Sequence, residues 1–275
     1  MSVAELASRY DGFIIDLWGV VHNGTQPYPG VLECLARLRA ARKRVAFLSN
    51  APRRSSVVAK TLLTMGIAPS LYDGIVTSGE AVRDALELRN DPGFRTLGER
   101  FYHLGPARDR DLFNGLPVSE CSTPSEADFV LNTGPDDRAS EDDPNVFDAV
   151  LTECLAAELP MICANPDLEV IRAGKRIICA GLLAERYAAR GGLVLVRGKP
   201  DPAIYRSTLD LLGTYRRKTV AFGDSLRTDL AGAKAAAIDS VFVLSGIHDL
   251  SLEAAHRECR EAGFDPIAIM PRFVW

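Results

Sequence analysis

The sequence predicts an α/β protein in which a doubly wound parallel sheet carries a second, inserted α/β unit. Four separated apolar runs each stop abruptly at a polar or charged residue. Continuous runs of Val, Ile, Leu and Phe of this length are typical of strands buried on both faces of a parallel sheet. Helical patterns alternate with these runs, which indicates right-handed crossovers. The runs are Phe13–Ile15 before Asp16, Val45–Leu48 before Ser49, Leu193–Val196 before Lys199, and Val220–Gly223 before Asp224.

The elements before the insert follow a regular order. Val31, Leu35 and Leu38 recur at helical spacing, and Gly66 stands where a glycine commonly closes a helix. The predicted elements are a helix over 3–10, a strand over 13–15, a helix over 30–42, a strand over 45–49 and a helix over 54–65.

The stretch from residue 79 to 187 is less regular but keeps the alternation, so it is predicted to be a second α/β unit rather than a disordered insert. Its elements are a helix over 80–88, a strand over 101–104, an apolar run over 129–131, a helix over 146–158 and a strand over 161–164. The first pattern then resumes with strands at 193–196, 219–222, 240–244 and 267–270 and helices at 202–212, 228–236 and 250–261. The predicted domains are a core of residues 1–78 and 188–275 and an inserted domain of residues 79–187.

Composition excludes several classes of function. The net charge is −4 with no basic stripe, which argues against nucleic acid as the main partner. The apolar runs are too short to cross a bilayer, and the N-terminus lacks the basic and apolar regions of a signal peptide. We therefore expect no membrane partner and a cytoplasmic location. None of the six cysteines forms a C-x-x-C pair, which predicts buried free thiols rather than a zinc site or disulfides.

The polar residues that follow the runs predict a phosphate site. Ligands of open parallel sheets bind beyond the carboxyl ends of the strands, where a carboxylate can attack phosphorus as a nucleophile. Two carboxylates about 4 Å apart repel by roughly 4 kcal/mol at an effective dielectric near 20. A cluster of three therefore favours Mg²⁺, which prefers oxygen ligands. The residues are Asp16, Ser49, Asn50, Lys199, Asp224 and Asp229.

Each fragment taken alone also has a simpler interpretation. Asp16 is compatible with a strand-capping residue in a turn, Ser49-Asn50 with a helix cap, and Lys199 with a solvated loop residue. Asp229 is compatible with an acidic residue that favours a helix N-terminus. The four fragments together, in this order, favour the phosphate site.

These motifs, in this order, resemble those of the haloacid dehalogenase (HAD) superfamily, and the insert resembles the C2 cap of class IIA, the NagD-like group. The resemblance implies a HAD-like (Rossmannoid) core and a hydrolase that cleaves phosphoric monoesters through an aspartyl-phosphate. It implies Asp16 as nucleophile and Lys199 as a second catalytic residue, with Ser49, Asn50 and Lys199 holding the phosphate. It implies Mg²⁺ on Asp16, the Trp18 carbonyl, Asp224 and Asp229, and a cap loop with Asn165 and Asp167 that closes over the leaving group.

The implied substrate is a small phosphorylated metabolite of the sugar phosphate, nucleotide or pyridoxal phosphate class. The resemblance also implies that the cap can mediate a homodimer.

One position departs from the family pattern. Phosphatases of the superfamily usually carry a second Asp two residues after the nucleophile as general acid and base, and this chain has Trp18 there. General acid–base catalysis contributes about 10²–10⁴-fold, so the change predicts slower turnover of poor leaving groups. His22 is a candidate substitute because its unperturbed pKa is near neutrality. The alternative function is a phosphometabolite-binding or regulatory protein with weak catalysis.

Overall fold

The computed structural model describes residues 1–136, 143–172, 175–246 and 250–275. The helices are α1 (Val3–Arg9), α2 (Val31–Ala40), α3 (Ser55–Thr64), α4 (Ser78–Leu88), α5 (Pro92–Arg95), α6 (Asp148–Ala156), α7 (Ala180–Ala189), α8 (Pro202–Leu212), α9 (Ala231–Ala235) and α10 (Leu252–Glu261). The strands are β1 (Gly12–Ile15), β2 (Arg44–Ser49), β3 (Gly74–Thr77), β4 (Arg100–Leu104), β5 (Ser119–Cys121), β6 (Phe129–Asn132), β7 (Met161–Cys163), β8 (Glu169–Arg172), β9 (Lys175–Ile178), β10 (Val194–Val196), β11 (Thr219–Gly223), β12 (Asp239–Val243) and β13 (Ala268–Met270).

The core domain contains a parallel sheet with the strand order β13-β12-β11-β1-β2-β3. Side chains of the central strand β1 alternate between its two faces, as the pleat requires. Phe13 and Ile15 pack into a cluster with Leu35 on one face, and Ile14 packs with Tyr205 on the other. Helices cover both faces, so the predicted doubly wound parallel sheet is confirmed.

The inserted unit has its own parallel sheet with the order β10-β7-β6-β4-β5. Its central strand also separates two apolar clusters, since Val130 packs on one face and Phe129 and Leu131 on the other. An antiparallel hairpin of β8 and β9 lies outside this sheet and joins β7 to α7. We call the whole unit the cap and this two-stranded element the cap hairpin.

The strand predicted at 193–196 for the core sheet belongs to the cap sheet, so that prediction is wrong. In the structure Val194 pairs with Met161 of β7. An apolar run shows that a strand forms but not which neighbour it pairs with, and this one is a partly exposed edge strand. We accordingly propose a cap that ends near residue 197 rather than at 187.

Several other elements differ from the prediction. The sequence pattern missed β3, the cap hairpin and α7, whose short or mixed runs have weak periodicity. The helix predicted over 228–236 begins as a single π turn, Leu226–Leu230, before α9. All six cysteines are free, as predicted, and Cys121 is the one that is partly exposed. No helix in the described ranges is long and apolar enough to cross a membrane.

Candidate active site

Three of the predicted site residues lie at the carboxyl ends of adjacent core strands. Asp16 follows β1, Ser49 ends β2 and Asp224 follows β11, and β1 pairs in parallel with both of the other strands. The parallel register therefore brings together side chains that are far apart in sequence. All three residues are buried.

Lys199 connects this strand edge to the acidic turn. It lies on the loop that leaves the cap sheet after β10, and its Nζ donates to Asp16 Oδ1 at 2.5 Å and to Asp229 Oδ1 at 2.7 Å. Its side chain is only 2% exposed. Burial alone lowers the pKa of Lys199, but the negative charges of Asp16 and Asp229 raise it well above its usual value. The ammonium is therefore a fixed positive charge beside the nucleophile position.

The carboxylates of Asp16, Asp224 and Asp229 form the predicted cluster, with one oxygen from each lying within 4.8 Å of the others. Burial raises the pKa of Asp16 well above its usual range. One lysine cannot neutralise three buried carboxylates, and the remaining negative charge with its oxygen donors suits a hard divalent cation. These three residues therefore fit a metal ion by the chemistry of their donor set.

The backbone around the cluster is shaped to bring the carboxylates close. The π turn directs Asp229 back to the strand end, where its Oδ2 accepts from the backbone N–H of Ser225 at 3.2 Å. A Cβ at Gly246 would lie 1.6 Å from Asp224 Oδ2, and one at Gly19 would lie 2.0 Å from it. Gly19 also has a φ of +85°, which favours glycine. These glycines leave room for the Asp224 carboxylate.

Asn50 uses its side-chain amide within the protein. Its Oδ1 accepts from the backbone N–H of Lys199 at 2.8 Å, and its Nδ2 donates to Asp167 Oδ1 at 2.8 Å. The amide therefore fixes the lysine loop, and its predicted contact with phosphate stays a prediction. The Ser49 hydroxyl accepts from the backbone N–H of Ala51 at 3.2 Å and borders the cavity described below.

The predicted cap loop reaches the core. Asn165 is buried, and its Oδ1 accepts from the backbone N–H of Asp167 at 3.0 Å. Burial raises the pKa of Asp167, whose carboxylate lies beside Asn50. Arg227 of the π turn donates to the carbonyl of Pro166 at 2.9 Å. Asp167 thus lies at the junction of the cap and the core, and the closure of this loop over a leaving group stays a prediction.

Trp18 and His22, both on the first loop, have different positions. Trp18 lines the site, and its indole N–H donates to the carbonyl of Ile171 in the cap hairpin at 3.0 Å. His22 is not among the residues that border the two cavities in the described structure. Its Nδ1 accepts from the backbone N–H of Gly24 at 3.0 Å, and burial lowers its pKa to about 4. The geometry therefore does not bring His22 to the site.

Two cavities meet at the site. One, of about 340 Å³, borders Asp16 and the acidic cluster, and the other, of about 310 Å³, borders Ser49 and extends into the cap. Both are lined by Trp18, Asp167 and Val170. Sequence reasoning missed the walls that the cap hairpin contributes and the support that Arg227 gives, because no motif marked either.

Comparison with known proteins identifies the family. The haloacid dehalogenase-like hydrolase family model matches residues 13–118, and a second HAD-hydrolase-like model matches residues 196–265. Ribonucleotide monophosphatase NagD of Escherichia coli strain K12 is 36% identical over 243 residues, which cover 86% of this chain and 88% of that protein.

Solved structures agree. A hydrolase of the haloacid dehalogenase-like family from Brucella suis 1330 superposes with a TM-score of 0.86 at 30% identity, covering 99% of each chain. The glycerol phosphate phosphatase of Mycobacterium tuberculosis in complex with magnesium has a TM-score of 0.67 at 24% identity, covering 88% of this chain and 71% of that one, and shows the fold alone. The chain therefore belongs to the haloacid dehalogenase-like hydrolase family and is a hydrolase of its class IIA, NagD-like phosphatase group.

Proposed function

We propose that the protein is a Mg²⁺-dependent phosphohydrolase that acts on a small phosphorylated metabolite through an aspartyl-phosphate on Asp16. The observation that carries the proposal is the buried ammonium of Lys199 bridging Asp16 and Asp229. The Lys199 ammonium is a fixed positive charge beside Asp16, the proposed nucleophile, at the mouth of a cavity. Preorganised charges of this kind stabilise the charge that develops in a transition state.

The proposed reaction has two displacements. An oxygen of the Asp16 carboxylate forms a bond to phosphorus while the bond from phosphorus to the leaving oxygen breaks, and a water molecule then attacks phosphorus and releases phosphate and the free carboxylate. Lys199 offsets the negative charge on the transferring group. Bound at Asp16, Asp224 and Asp229, with the Trp18 carbonyl as a further ligand, Mg²⁺ would supply additional charge stabilisation.

The leaving oxygen needs a proton when its bond to phosphorus breaks. The indole N–H of Trp18 is too weak an acid to transfer its proton at neutral pH, and it is directed to the carbonyl of Ile171, so we assign the proton on the leaving oxygen to solvent water. Turnover should then depend on the basicity of the leaving group. Asp16, Lys199 and the acidic cluster form a complete set of catalytic groups. This set favours a phosphohydrolase without a protein general acid over a phosphometabolite-binding or regulatory protein with weak catalysis.

Small phosphoesters of the sugar phosphate, nucleotide or pyridoxal phosphate class are the proposed substrates. Cavities of about 310 and 340 Å³ are at the small end of the range for ligand sites. One relative is a ribonucleotide monophosphatase and another is a glycerol phosphate phosphatase. We also propose that the protein works in the cytoplasm without nucleic acid or membrane partners. We further propose that it forms a homodimer, and measuring its molar mass in solution by light scattering tests that proposal.

The test is phosphate release from a panel of phosphoesters, with and without MgCl₂ and EDTA. Asp16→Asn removes the attacking charge at constant shape, so we expect activity to fall to background. Asp11→Asn is the matched control, because Asp11 precedes the opposite end of β1 and pairs with Lys43 at the surface. Near-normal phosphate release by Asp16→Asn, or full activity in EDTA, would show that the proposed mechanism is wrong.

A further inference from the structure

Trp18 joins the first loop of the core to the cap hairpin. Its indole N–H donates to the carbonyl of Ile171 at 3.0 Å, across a sequence separation of 153 residues. Ile171 belongs to β8, which pairs only with β9 among the described strands. The cap hairpin lies outside both large sheets, so contacts such as this one determine where it lies.

The loop that carries Trp18 is built around the indole ring. Gly24 has a φ of +90°, and a Cβ there would lie 2.4 Å from the ring. The His22 ring meets the indole edge to face, with centroids 5.5 Å apart and an interplanar angle of 73°. The buried His22 is in turn held by the backbone N–H of Gly24 at 3.0 Å. A larger residue at Gly24 would displace the ring, so this loop presents Trp18 to the cap.

The cap hairpin forms one wall of the cavity that extends from Ser49. Val170, Ile177 and Ile178 of the hairpin line this cavity of about 310 Å³ together with Trp18. The shape of the cavity therefore depends on how the hairpin lies against the core. Since the cavity continues from the phosphate position into the cap, it is where the leaving group of the proposed reaction would lie.

We propose that Trp18 is a positioning residue that docks the cap hairpin on the core and so forms the leaving-group cavity. The family's acid is replaced at this position by a side chain whose N–H bonds to the cap and whose ring forms part of the cavity wall. The docking itself is independent of catalysis, whereas its effect on substrate specificity rests on the proposed function.

Limited proteolysis measures the docking without substrate or metal. Lys175 and Arg176 in β9 are exposed, so trypsin can report on local opening of the hairpin. Cleavage of transiently open segments follows the open population when opening and closing are fast. Trp18→Phe keeps a ring but loses the N–H, and the loss of one neutral hydrogen bond should raise cleavage at these residues about fivefold.

Two controls separate docking from general destabilisation. Trp275→Phe makes the same change at a tryptophan that packs on the core beside Arg37, and it should leave hairpin cleavage within about twofold. Cleavage after Arg217, exposed on the core, reports opening outside the cap in the same digest. Equal hairpin cleavage in wild type and Trp18→Phe, or a parallel rise after Arg217, would overturn the docking role.

Steady-state kinetics test the effect on specificity. For p-nitrophenyl phosphate, whose leaving group would fill the cavity, Trp18→Phe should raise KM about fivefold, and this rise in KM should exceed any fall in kcat. For acetyl phosphate, whose leaving group is small, KM should change by less than about twofold. Equal KM changes for both esters would overturn the cavity role. If wild type hydrolyses neither ester, the proposed function fails and proteolysis still decides the docking.

Discussion

Removing the ammonium of Lys199 should destabilise the protein and strengthen its response to Mg²⁺. Lys199 Nζ lies 2.5 Å from Asp16 and 2.7 Å from Asp229, and the side chain is 2% exposed. At an effective dielectric near 20 each contact corresponds to about 6 kcal/mol of Coulomb attraction. Desolvation offsets most of it, so the useful magnitude is the cost of breaking a buried pair, about 3–5 kcal/mol.

Lys199→Met keeps the length of the side chain and removes its charge. A loss of about 3–5 kcal/mol should lower the melting temperature by roughly 10 °C, at about 2–4 °C per kcal/mol. The site gains one net negative charge, so MgCl₂ should raise the melting temperature of the variant more than that of wild type. Phosphate release should fall by about 10²–10³-fold, as for other preorganised charges.

Lys43→Met is the matched control, because Lys43 pairs with Asp11 at 3.0 Å and Asp11 is 58% exposed. Such a surface pair contributes about 0–1 kcal/mol, so this variant should melt close to wild type with the same response to Mg²⁺. Differential scanning fluorimetry at several MgCl₂ concentrations measures both variants. The charge-balance reasoning would be refuted if Lys199→Met had the melting temperature of wild type. It would also be refuted if MgCl₂ raised the melting temperature of the variant no more than that of wild type.

Three further perturbations test separate features. Trp18→Asp should narrow the rate ratio between p-nitrophenyl phosphate and alkyl phosphates, because it restores an acid for poor leaving groups; an unchanged ratio in a protein that melts normally would contradict this. Gly246→Ala places a Cβ 1.6 Å from Asp224 Oδ2, so the Mg²⁺ concentration for half-maximal activity should rise about tenfold, and an unaltered Mg²⁺ dependence would count against the cluster as the metal site. Burial lowers the pKa of His103 to about 4, and between that value and about 6.5 the unfolded chain binds more protons than the native state, so stability is lost as pH falls. From pH 7 to pH 5 His103 should account for about 2 kcal/mol of that loss of stability. His103→Gln should therefore reduce the fall in melting temperature between pH 7 and pH 5, whereas the same change at the exposed His256 should not.

Local sequence pattern determined most of the core domain. Buried runs such as Phe13–Ile15 and Val220–Gly223 were correctly predicted as parallel strands, because burial on both faces leaves a continuous apolar signature. The helix predicted over 202–212 matches α8 in both bounds, since proline begins it and Gly213 ends it. The cap hairpin had no comparable signal, because its strands depend on contacts with the rest of the cap and the core.

The residue types and their order along the chain also indicated the site, since Asp16, Ser49 and Asp224 each lie at the carboxyl end of a buried strand and parallel pairing brings strand ends together. Only the tertiary structure decided which groups those residues contact. In that structure the Asn50 amide bonds to Lys199 and Asp167, and the Trp18 indole bonds to Ile171. Strand β10 pairs with the cap sheet. Periodicity and spacing are local properties of the chain, whereas a hydrogen bond between residues 153 positions apart is set by how two domains pack.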